Sequence, residues 1–375
     1  MVIIMWIIMA AVAVLLGIYV YVFFRRVFRF YSKGKTNKVL QVFQTILAVA
    51  AGVFSVNIWN GISVILLHLI FSAMLFDLAA IILRKIFAGK KEKTYYRIAH
   101  ILYHCGLIPA ITVFFILLYG FLNMENIVRT EYTVQTTKDI SDYKVVLITD
   151  THYATIQDTD ILKDSISEIN AQNPDIVILG GDIVEEGTSH EKMQEVFEIF
   201  QKIKSNYGVF YVYGNHDRQP YTDKRTYTDK ELTEAITKNG IVILEDTFVE
   251  INEELILAGR GDAAWGNDSG RASAEELLEK ADMKKYIIVA DHQPVEAAEN
   301  NAAGVDLELS GHTHAGQIWP TEYFFDVMKM LRYGRYQEGD CTVIVSSGFA
   351  GWQYPIRTQE HCEYVVINIQ GTKKQ

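Results

Sequence analysis

Apolar residues are spread unevenly along the chain. The first third contains four long apolar stretches, at positions 1–24, 39–58, 62–83 and 98–122. Each is about as long as a helix that crosses a bilayer. From residue 140 onward the apolar runs are short and β-branched, and they alternate with segments of helical periodicity. The pattern predicts a transmembrane region over 1–125 with about four helices, followed by a separate domain over 131–375.

The apolar stretches have two interpretations other than membrane helices. A signal peptide would explain the first stretch, but no basic region precedes it and no small-x-small cleavage site precedes Arg25. A helical globular domain would explain all four. However, the first 130 residues contain only three acidic residues, and their basic residues are gathered into two loops. Retained membrane helices fit this distribution better.

The charges of the loops predict an orientation. Basic residues cluster between the first and second stretches and between the third and fourth, whereas the connection 57–61 has no charge. By the positive-inside rule both basic loops face the cytoplasm, so both termini and the following domain are predicted to be extracytoplasmic. The clusters comprise Arg25, Arg26, Arg29, Lys33, Lys35 and Lys38, and Arg84, Lys85, Lys90, Lys91, Lys93 and Arg97.

Ionisable residues within the apolar stretches have two interpretations. His68, Asp77, His100 and His104 would suit a proton or ion path, because such groups are costly in a bilayer and often functional. Alternatively, they pair within the helix bundle. We favour structural packing and keep transport as the lesser alternative.

Strands and helices alternate in the domain that follows. Helices are predicted at 158–170, 191–204 and 272–281, and strands at 241–244, 248–251, 255–257, 341–345 and 364–368. Together they predict an α/β domain with two packed mixed β-sheets flanked by helices.

Five clusters of histidine and aspartate follow the ends of apolar, β-branched runs. Because the carboxyl ends of neighbouring strands meet at one edge of a sheet, these clusters should converge in space. A single Asp-x-His or Gly-Asp is usually only a turn. Five in succession predict a shared metal site. The clusters are Asp150-Thr151-His152, Gly181-Asp182, Gly214-Asn215-His216-Asp217, Asp291-His292 and Gly311-His312-Thr313-His314.

In this order the clusters resemble the signature of the calcineurin-like metallophosphoesterases, D-x-H, G-D, G-N-H-D/E, H and G-H-x-H. The flanking segments 173–177 and 311–318 are also similar to that family, and 311–318 resembles its bacterial membrane-associated or exported branch. One departure is Ala315, where that branch often carries a glycine. The resemblance covers residues 140–370 and implies a four-layer αββα sandwich that hydrolyses phosphoesters with bound metal ions.

The resemblance also implies a ligand for each metal position. Mixed nitrogen and oxygen ligands suit Mn, Fe or Zn better than Ca, so the implied cofactors are two divalent ions of this kind. The expected reaction is attack of a metal-bound hydroxide on a phosphomonoester or phosphodiester. The implied ligands are Asp150, His152 and His314 for the first metal, Asn215, His292 and His312 for the second, and Asp182 as the bridge.

Four further residues are candidates for the chemistry around the metals. The resemblance implies that His216 stabilises the phosphoryl group or protonates the leaving oxygen, and that Asp217 orients its imidazole. Arg357 and Arg260 are candidates to bind the substrate phosphate, with ion pairing at the protein surface as the alternative.

Two features of the domain leave alternatives open. Cys341 and Cys362 flank the last predicted hairpin and are either disulfide-bonded or two free buried thiols. The segment 319–336 combines aromatic and basic residues, as does an element that rests on a lipid bilayer. Such an element would favour an amphiphilic phosphoester as substrate; the alternative is an internal core hairpin.

The first 130 residues and the rest of the chain have opposite net charges, and this difference limits the classes of partner that the protein can bind. The first 130 residues carry a net charge of +10 and the remainder −20. An acidic surface argues against nucleic acid as the partner. The sequence predicts a membrane-anchored dinuclear phosphoesterase with no evident protein partner. The alternatives are a lipid-headgroup or cell-wall-precursor phosphoesterase, and a membrane sensor or transporter with a non-catalytic metal-binding outer domain.

Overall fold

The computed structural model describes residues 2–35, 37–57, 60–86, 94–156, 159–265 and 270–373. The chain divides into two compact units, Met1–Tyr119 and Gly120–Gln375. The predicted domain limits, 1–125 and 131–375, stay a prediction, because a division by contacts does not test whether each part folds independently.

The first unit is helical and apolar on its outside. Among the described residues, three helices are long and apolar enough to cross a membrane: α1 (Val2–Tyr31), α3 (Gly61–Ile86) and α5 (Leu107–Glu125). Only 11% of the most apolar part of α1 and of α3 is buried, so their apolar side chains point outward, as lipid requires. The helices are α1 (Val2–Tyr31), α2 (Lys38–Phe54), α3 (Gly61–Ile86), α4 (Thr94–Cys105) and α5 (Leu107–Glu125), of which α5 continues into the second unit.

The prediction of one continuous helix over 98–122 is wrong. Gly106 separates α4 from α5 and has a φ of 70°, a left-handed conformation that glycine adopts without the steric cost of a Cβ. The second apolar stretch forms α2, a shorter apolar helix of 17 residues. Lys90, Lys91 and Lys93 of the second basic loop lie outside the described residues.

Asp77 of the first unit is paired. Its carboxylate lies 2.7 Å from the Arg26 guanidinium and accepts a hydrogen bond of 3.0 Å from the Tyr19 hydroxyl. An ionised side chain with both an opposite charge and a hydrogen-bond donor is accommodated within a helix bundle. These contacts favour the packing interpretation of Asp77 over an ion path.

The second unit contains two mixed sheets, each six-stranded within the described part of the chain. The first has the order β1 (Ile127–Gln135), β12 (Cys362–Gln370), β2 (Tyr143–Ile148), β3 (Ile176–Leu179), β4 (Val209–Tyr211), β5 (Val242–Ile243). The second has the order β10 (Gly334–Glu338), β11 (Cys341–Val345), β9 (Leu307–Ser310), β8 (Tyr286–Ala290), β7 (Leu255–Gly259), β6 (Thr247–Glu250). In the first sheet β2 to β5 are parallel, and in the second β7, β8, β9 and β11 are parallel.

Three apolar cores separate four layers. One core lies between the sheets, a second packs the first sheet against three helices, and a third packs the second sheet against two shorter helices. Buried β-branched residues fill both faces of the parallel strands, as expected for a sheet covered on both sides. The predicted αββα class is confirmed. The helices are α6 (Thr159–Ala171), α7 (His190–Phe200) and α8 (Asp229–Lys238), and α9 (Ala274–Leu278) and α10 (Ala297–Ala302).

The predicted last hairpin is wrong. β11, which begins at Cys341, pairs with β9 and β10, whereas β12, which begins at Cys362, pairs with β1 and β2 in the other sheet. Both thiols are buried and free, so the free-thiol alternative is correct. The intervening segment crosses from one sheet to the other and therefore cannot be a tight turn.

Candidate metal centre

The predicted ligands all follow parallel strands at their carboxyl ends. Because the ends of β2, β3 and β4 in one sheet and of β8 and β9 in the other carry these residues, both sheets contribute to one site. Asp150 and His152 follow β2, Asp182 follows β3, Asn215 follows β4, His292 follows β8, and His312 and His314 follow β9.

The backbone at these strand ends is strained. Left-handed φ angles are uncommon for residues other than glycine and persist only where the surrounding structure holds them. Ala315 also has a φ of 52°, so the absence of a glycine at this position carries a conformational cost. The predicted ligands in this conformation are Asp150 (φ 54°), His152 (40°), Asp182 (50°), His312 (70°) and His314 (48°).

Gly214 permits the close approach of two of the clusters. A Cβ atom at this position would lie 2.2 Å from Oδ1 of Asp182, which is far inside van der Waals contact. Only glycine leaves room for the carboxylate. The glycine of the G-N-H-D cluster is therefore explained by packing against the G-D cluster.

Asp150, His152 and His314 form the first group of candidate ligands. Their nearest side-chain nitrogen and oxygen atoms all lie within 4.8 Å of one another. Nε2 of His152 is 3.3 Å from Nε2 of His314, which is 3.5 Å from Oδ1 of Asp150. Nδ1 of His152 contacts Oε2 of Glu185 at 2.9 Å, and Nδ1 of His314 contacts the Ala350 carbonyl at 3.0 Å.

These contacts direct Nε2 of both histidines inward. The Ala350 carbonyl only accepts hydrogen bonds, so Nδ1 of His314 carries a proton and Nε2 of His314 faces the site. Nδ1 of His152 faces the Glu185 carboxylate, and Nε2 of His152 lies 3.3 Å from Nε2 of His314, so the two nitrogens are placed to share one cation. An outer acceptor on Nδ1 with Nε2 directed inward is the usual arrangement of metal-binding histidine. The first group therefore fits a metal ion.

Asp182, His292 and His312 form the second group, again with ligand atoms within 4.8 Å of one another. Nε2 of His292 lies 3.2 Å from Oδ2 of Asp182 and 3.3 Å from Nδ1 of His312. Nδ1 of His292 donates to the Gly180 carbonyl at 2.9 Å, so its Nε2 also faces inward. The buried Oδ1 of Asn215 has no hydrogen-bond partner among the described residues. An orphaned buried oxygen is costly, and a metal ion would satisfy it.

The pKa values of the four expected histidine ligands shift in opposite directions. Burial lowers the pKa of His314 to about 3, and burial with the neighbouring His292 lowers the pKa of His312 to about 3. Burial also disfavours charge on His292 and His152, but the Asp182 carboxylate beside His292 and the Glu185 carboxylate beside His152 outweigh it and raise both pKa values. Neutral imidazole is the form that binds metal, so metal binding would release a proton from His152 and His292 but not from His312 or His314.

The residue that orients His216 is Glu186, and this corrects the expectation for Asp217. Nδ1 of His216 lies 2.7 Å from Oε2 of Glu186, and only 8% of His216 is exposed. The imidazole is flanked by the rings of Tyr221 and Trp352, with centroids 5.0 and 5.1 Å away.

Asp217 faces the backbone instead. Its carboxylate accepts hydrogen bonds from the backbone N–H groups of Asp182, Ile183, Val184 and Gly214, at 2.6 to 3.2 Å. The side chain next to His216 in sequence therefore points away from the imidazole, and it joins the G-D and G-N-H-D segments. Its contact with the Asp182 backbone positions that residue for the second group.

The predicted phosphate-binding arginines are buried among protein acceptors. Arg357 is 0% exposed, and it donates to the carbonyls of His314, Ser347, Ala350 and His361 at 2.8 to 3.3 Å. Arg260 is 1% exposed and lies 2.8 Å from a carboxylate oxygen of Glu296. Substrate binding by either stays a prediction; the contacts of Arg357 hold the loop that carries His314.

Glu185 and Glu186 are the site residues that the sequence reasoning missed. They hold His152 and His216 respectively. A signal was present, since two successive glutamates follow the Gly181-Asp182 cluster by three residues, at the same strand end. Tyr221 and Trp352 carried no such signal, because both lie in irregular segments.

The adjacent glutamates provide a matched pair of variants. We expect Glu185→Gln to weaken metal binding about 10- to 100-fold while turnover at saturating metal stays close to wild type, because Glu185 holds an expected ligand. Glu186→Gln should leave metal affinity unchanged and lower kcat about tenfold, a part of what a general acid contributes. Metal titration by calorimetry and turnover at saturating metal measure the two effects. Equal loss of metal binding in both variants would contradict the separate roles.

Known proteins with similar sequences are named as metallophosphoesterases. A sequence profile described as calcineurin-like phosphoesterase matches residues 143–316. An uncharacterized metallophosphoesterase of Campylobacter jejuni is 30% identical over 317 residues, which are 81% of this chain and 79% of that protein. The metallophosphoesterase YkuE of Bacillus subtilis is 27% identical over 68% of this chain and 90% of its own length.

A vertebrate relative and a solved structure extend these comparisons. A transmembrane protein with metallophosphoesterase domain from Danio rerio is 26% identical over 66% of this chain and 59% of its own length. A dimetal phosphatase of known structure from Danio rerio covers 61% of this chain and 93% of that chain, with 12% identity and a TM-score of 0.34.

Fold, site and relatives define a metal-dependent phosphoesterase, a hydrolase that acts on phosphoric ester bonds. The chain belongs to the calcineurin-like metallophosphoesterases. Its apolar helices, together with the transmembrane relative, indicate association with a membrane.

Proposed function

We propose that the protein is a membrane-anchored, dinuclear phosphoesterase that hydrolyses phosphomonoesters or phosphodiesters. The observation that carries the proposal is the pair of adjacent ligand groups, in each of which the inward-facing histidine nitrogens and carboxylate oxygens lie within 4.8 Å of one another. A mixed nitrogen and oxygen set of this kind suits Mn, Fe or Zn. When bound, two such ions supply an activated water and positive charge for the phosphoryl oxygens.

Asp182 would join the two metal positions. Its Oδ2 lies 3.2 Å from Nε2 of His292, and its Oδ1 accepts the backbone N–H of His216 at 2.8 Å. The carboxylate also acts electrostatically on His152 of the first group. A buried anion between two ligand groups offsets two neighbouring cations, which is the role of a bridging ligand.

His216 would supply the proton to the leaving oxygen. With Nδ1 held by Glu186, its Nε2 is the atom that carries the transferable proton. An alkoxide leaves poorly unless it is protonated as the P–O bond breaks, so an acid at this position lowers the barrier. A binding-only domain has no need of such a group, and this supports the enzyme over the sensor or transporter alternative.

The domain would lie outside the cytoplasm. The support is the gathering of Lys and Arg into the two loops on one side of the apolar stretches. Since α5 leads directly into the second unit, this charge distribution would anchor the phosphoesterase domain at the outer surface of a multi-pass membrane region.

The test is hydrolysis of bis-p-nitrophenyl phosphate and p-nitrophenyl phosphate by the full chain in detergent. We expect turnover with Mn, Fe or Zn and its loss in EDTA, because the bound metals would activate the attacking water. Restoration by added metal controls for damage by the chelator. The ratio of the two rates distinguishes diesterase from monoesterase. Stoichiometric metal without turnover on either ester would favour the sensor alternative.

A further inference from the structure

An exposed apolar surface follows the last candidate metal ligand by five residues. It consists of Trp319 and the helix α11 (Glu322–Met328) with Met330, and we call it the α11 surface. No residue of α11, which is described throughout, is buried. Large apolar side chains rarely cluster in water without a partner. The exposed members are Trp319 (52%), Tyr323 (59%), Phe324 (62%), Val327 (80%), Met328 (56%) and Met330 (43%).

This arrangement contradicts the core-hairpin alternative for the segment 319–336. Only its last part forms a strand, β10, at the edge of the second sheet. The preceding turns project their apolar side chains outward. An amphipathic element on the surface needs an apolar environment outside the domain.

The α11 surface is fastened at both ends to the loop of the metal ligands. At its start, the Thr321 hydroxyl donates to the Gly316 carbonyl at 2.8 Å. At its end, the Thr313 hydroxyl, between His312 and His314 in sequence, donates to the Arg332 carbonyl. The surface is therefore held close to the candidate metal centre rather than on a free loop.

The segment that contains Arg357 and Thr358 contacts both the α11 surface and the end of α5, a candidate membrane span. The backbone N–H of Trp319 donates to the Thr358 hydroxyl at 3.0 Å, and the backbone N–H of Arg357 donates to the Gly120 carbonyl in α5 at 2.9 Å. Phe121 and Leu122 of α5 are themselves 46% and 56% exposed. One short segment thus joins the end of a candidate membrane span to the α11 surface.

A cavity adjoins the same end of α5. It has a volume of about 330 Å³ and lies between Phe121 and Met124 of α5 and the segment 154–156. That segment directly follows His152, and the N–H of Thr155 donates to the His152 carbonyl at 3.2 Å. Apolar elements therefore border the ligand loops of both His152 and His314.

We propose that the α11 surface inserts into the lipid bilayer that α5 crosses, and that it presents the metal centre to phosphoesters at the membrane surface. The occupant is lipid because α5 brings the bilayer to the segment that supports Trp319. Tyrosine and tryptophan beside aliphatic side chains are typical of the membrane interface. The membrane contact stands on these observations alone; the amphiphilic substrate rests on the proposed function.

Insertion is measured on the full chain in liposomes, with an environment-sensitive fluorophore on a cysteine introduced by Val327→Cys. The matched control is Lys230→Cys in α8, whose side chain is 84% exposed. The native cysteines are buried, and unsubstituted protein gives the labelling background. We expect nitroxide-labelled lipid to reduce the emission about twofold or more at residue 327 and to leave residue 230 unchanged.

Unchanged emission at residue 327 would overturn the membrane contact. Emission that depends on protein concentration and not on nitroxide lipid would also overturn it, and would assign the surface to a second copy of the chain. This readout needs no catalysis, so it remains decisive even where the proposed function fails.

The proposal that the substrate is a phosphoester at the membrane surface is tested separately, with the double variant Phe324→Ser/Val327→Ser in the full chain. We expect turnover of a long-chain alkyl p-nitrophenyl phosphodiester in liposomes to fall about tenfold, while soluble bis-p-nitrophenyl phosphate is hydrolysed at the wild-type rate. Equal rates of wild type and variant on the liposomal ester would overturn the membrane-presented substrate. Failure of wild type on both esters would count against the proposed function instead.

Discussion

His216→Ala is expected to lower kcat for an alkyl phosphate such as propyl phosphate about 10³-fold, within the usual contribution of a general acid. The imidazole is fixed by Glu186 and is 8% exposed, so bulk water does not replace it as a positioned proton donor. p-Nitrophenyl phosphate should lose only about tenfold, because its leaving group departs as a stable anion. Phosphate release at saturating metal measures both.

The control for histidine removal is His190→Ala at the start of α7, where the side chain is 46% exposed. It should match wild type on both esters. Equal losses for the alkyl and aryl esters in His216→Ala would refute proton donation to the leaving oxygen, and would assign His216 to the phosphoryl group instead.

Asp182→Asn is expected to lower turnover about 10³-fold and to reduce the bound metal below two ions per chain. The substitution keeps the size of the side chain and removes the charge expected to offset two cations, an effect of several kcal/mol. The carboxylate is 1% exposed, and His292 outweighs the effect of burial and lowers the pKa of Asp182 well below its ordinary value. Elemental analysis of metal content and turnover with added metal are the measurements.

Glu308→Gln is the matched buried carboxylate-to-amide control. Glu308 accepts hydrogen bonds from Asn300 and Ser310 and belongs to neither ligand group. An amide can donate to Ser310 and accept from Asn300, so the variant should retain metal and activity. Two bound metals and normal turnover in Asp182→Asn would contradict the bridging role.

Much of the candidate site was predictable because strand and ligand signals are local. A β-branched run followed by Asp, Asn or His marks the carboxyl end of a buried strand, as at 145–152 and 287–292. The open α/β arrangement then brings such ends together. The αββα class was predictable for the same reason. The strand β1 was missed, although the alternation of residues 127–134 is a strand signal.

The side chains that contact the imidazoles of His152 and His216 were harder to predict from the sequence. Because Asp217 is next to His216 in the sequence, we expected it to orient the imidazole. However, the direction of the backbone after β4 turns the Asp217 carboxylate toward the N–H groups of Asp182 and Ile183. The acceptor is Glu186, thirty positions earlier in the chain. Which side chain reaches an imidazole depends on the path of two loops, and residue spacing does not encode that path.

Sequence alone was sufficient for the family, because the order of the five clusters resembles the family signature. It was also sufficient for the fold class and the membrane-associated region, because composition and periodicity over short windows reflect whether side chains face water, lipid or a protein core. It did not reveal the break at Gly106 or the separation of Cys341 and Cys362 into different sheets, and it did not decide whether the segment 319–336 faces outward or forms a core hairpin. These features arise from contacts between distant segments, whose geometry is set when the sheets and loops pack together.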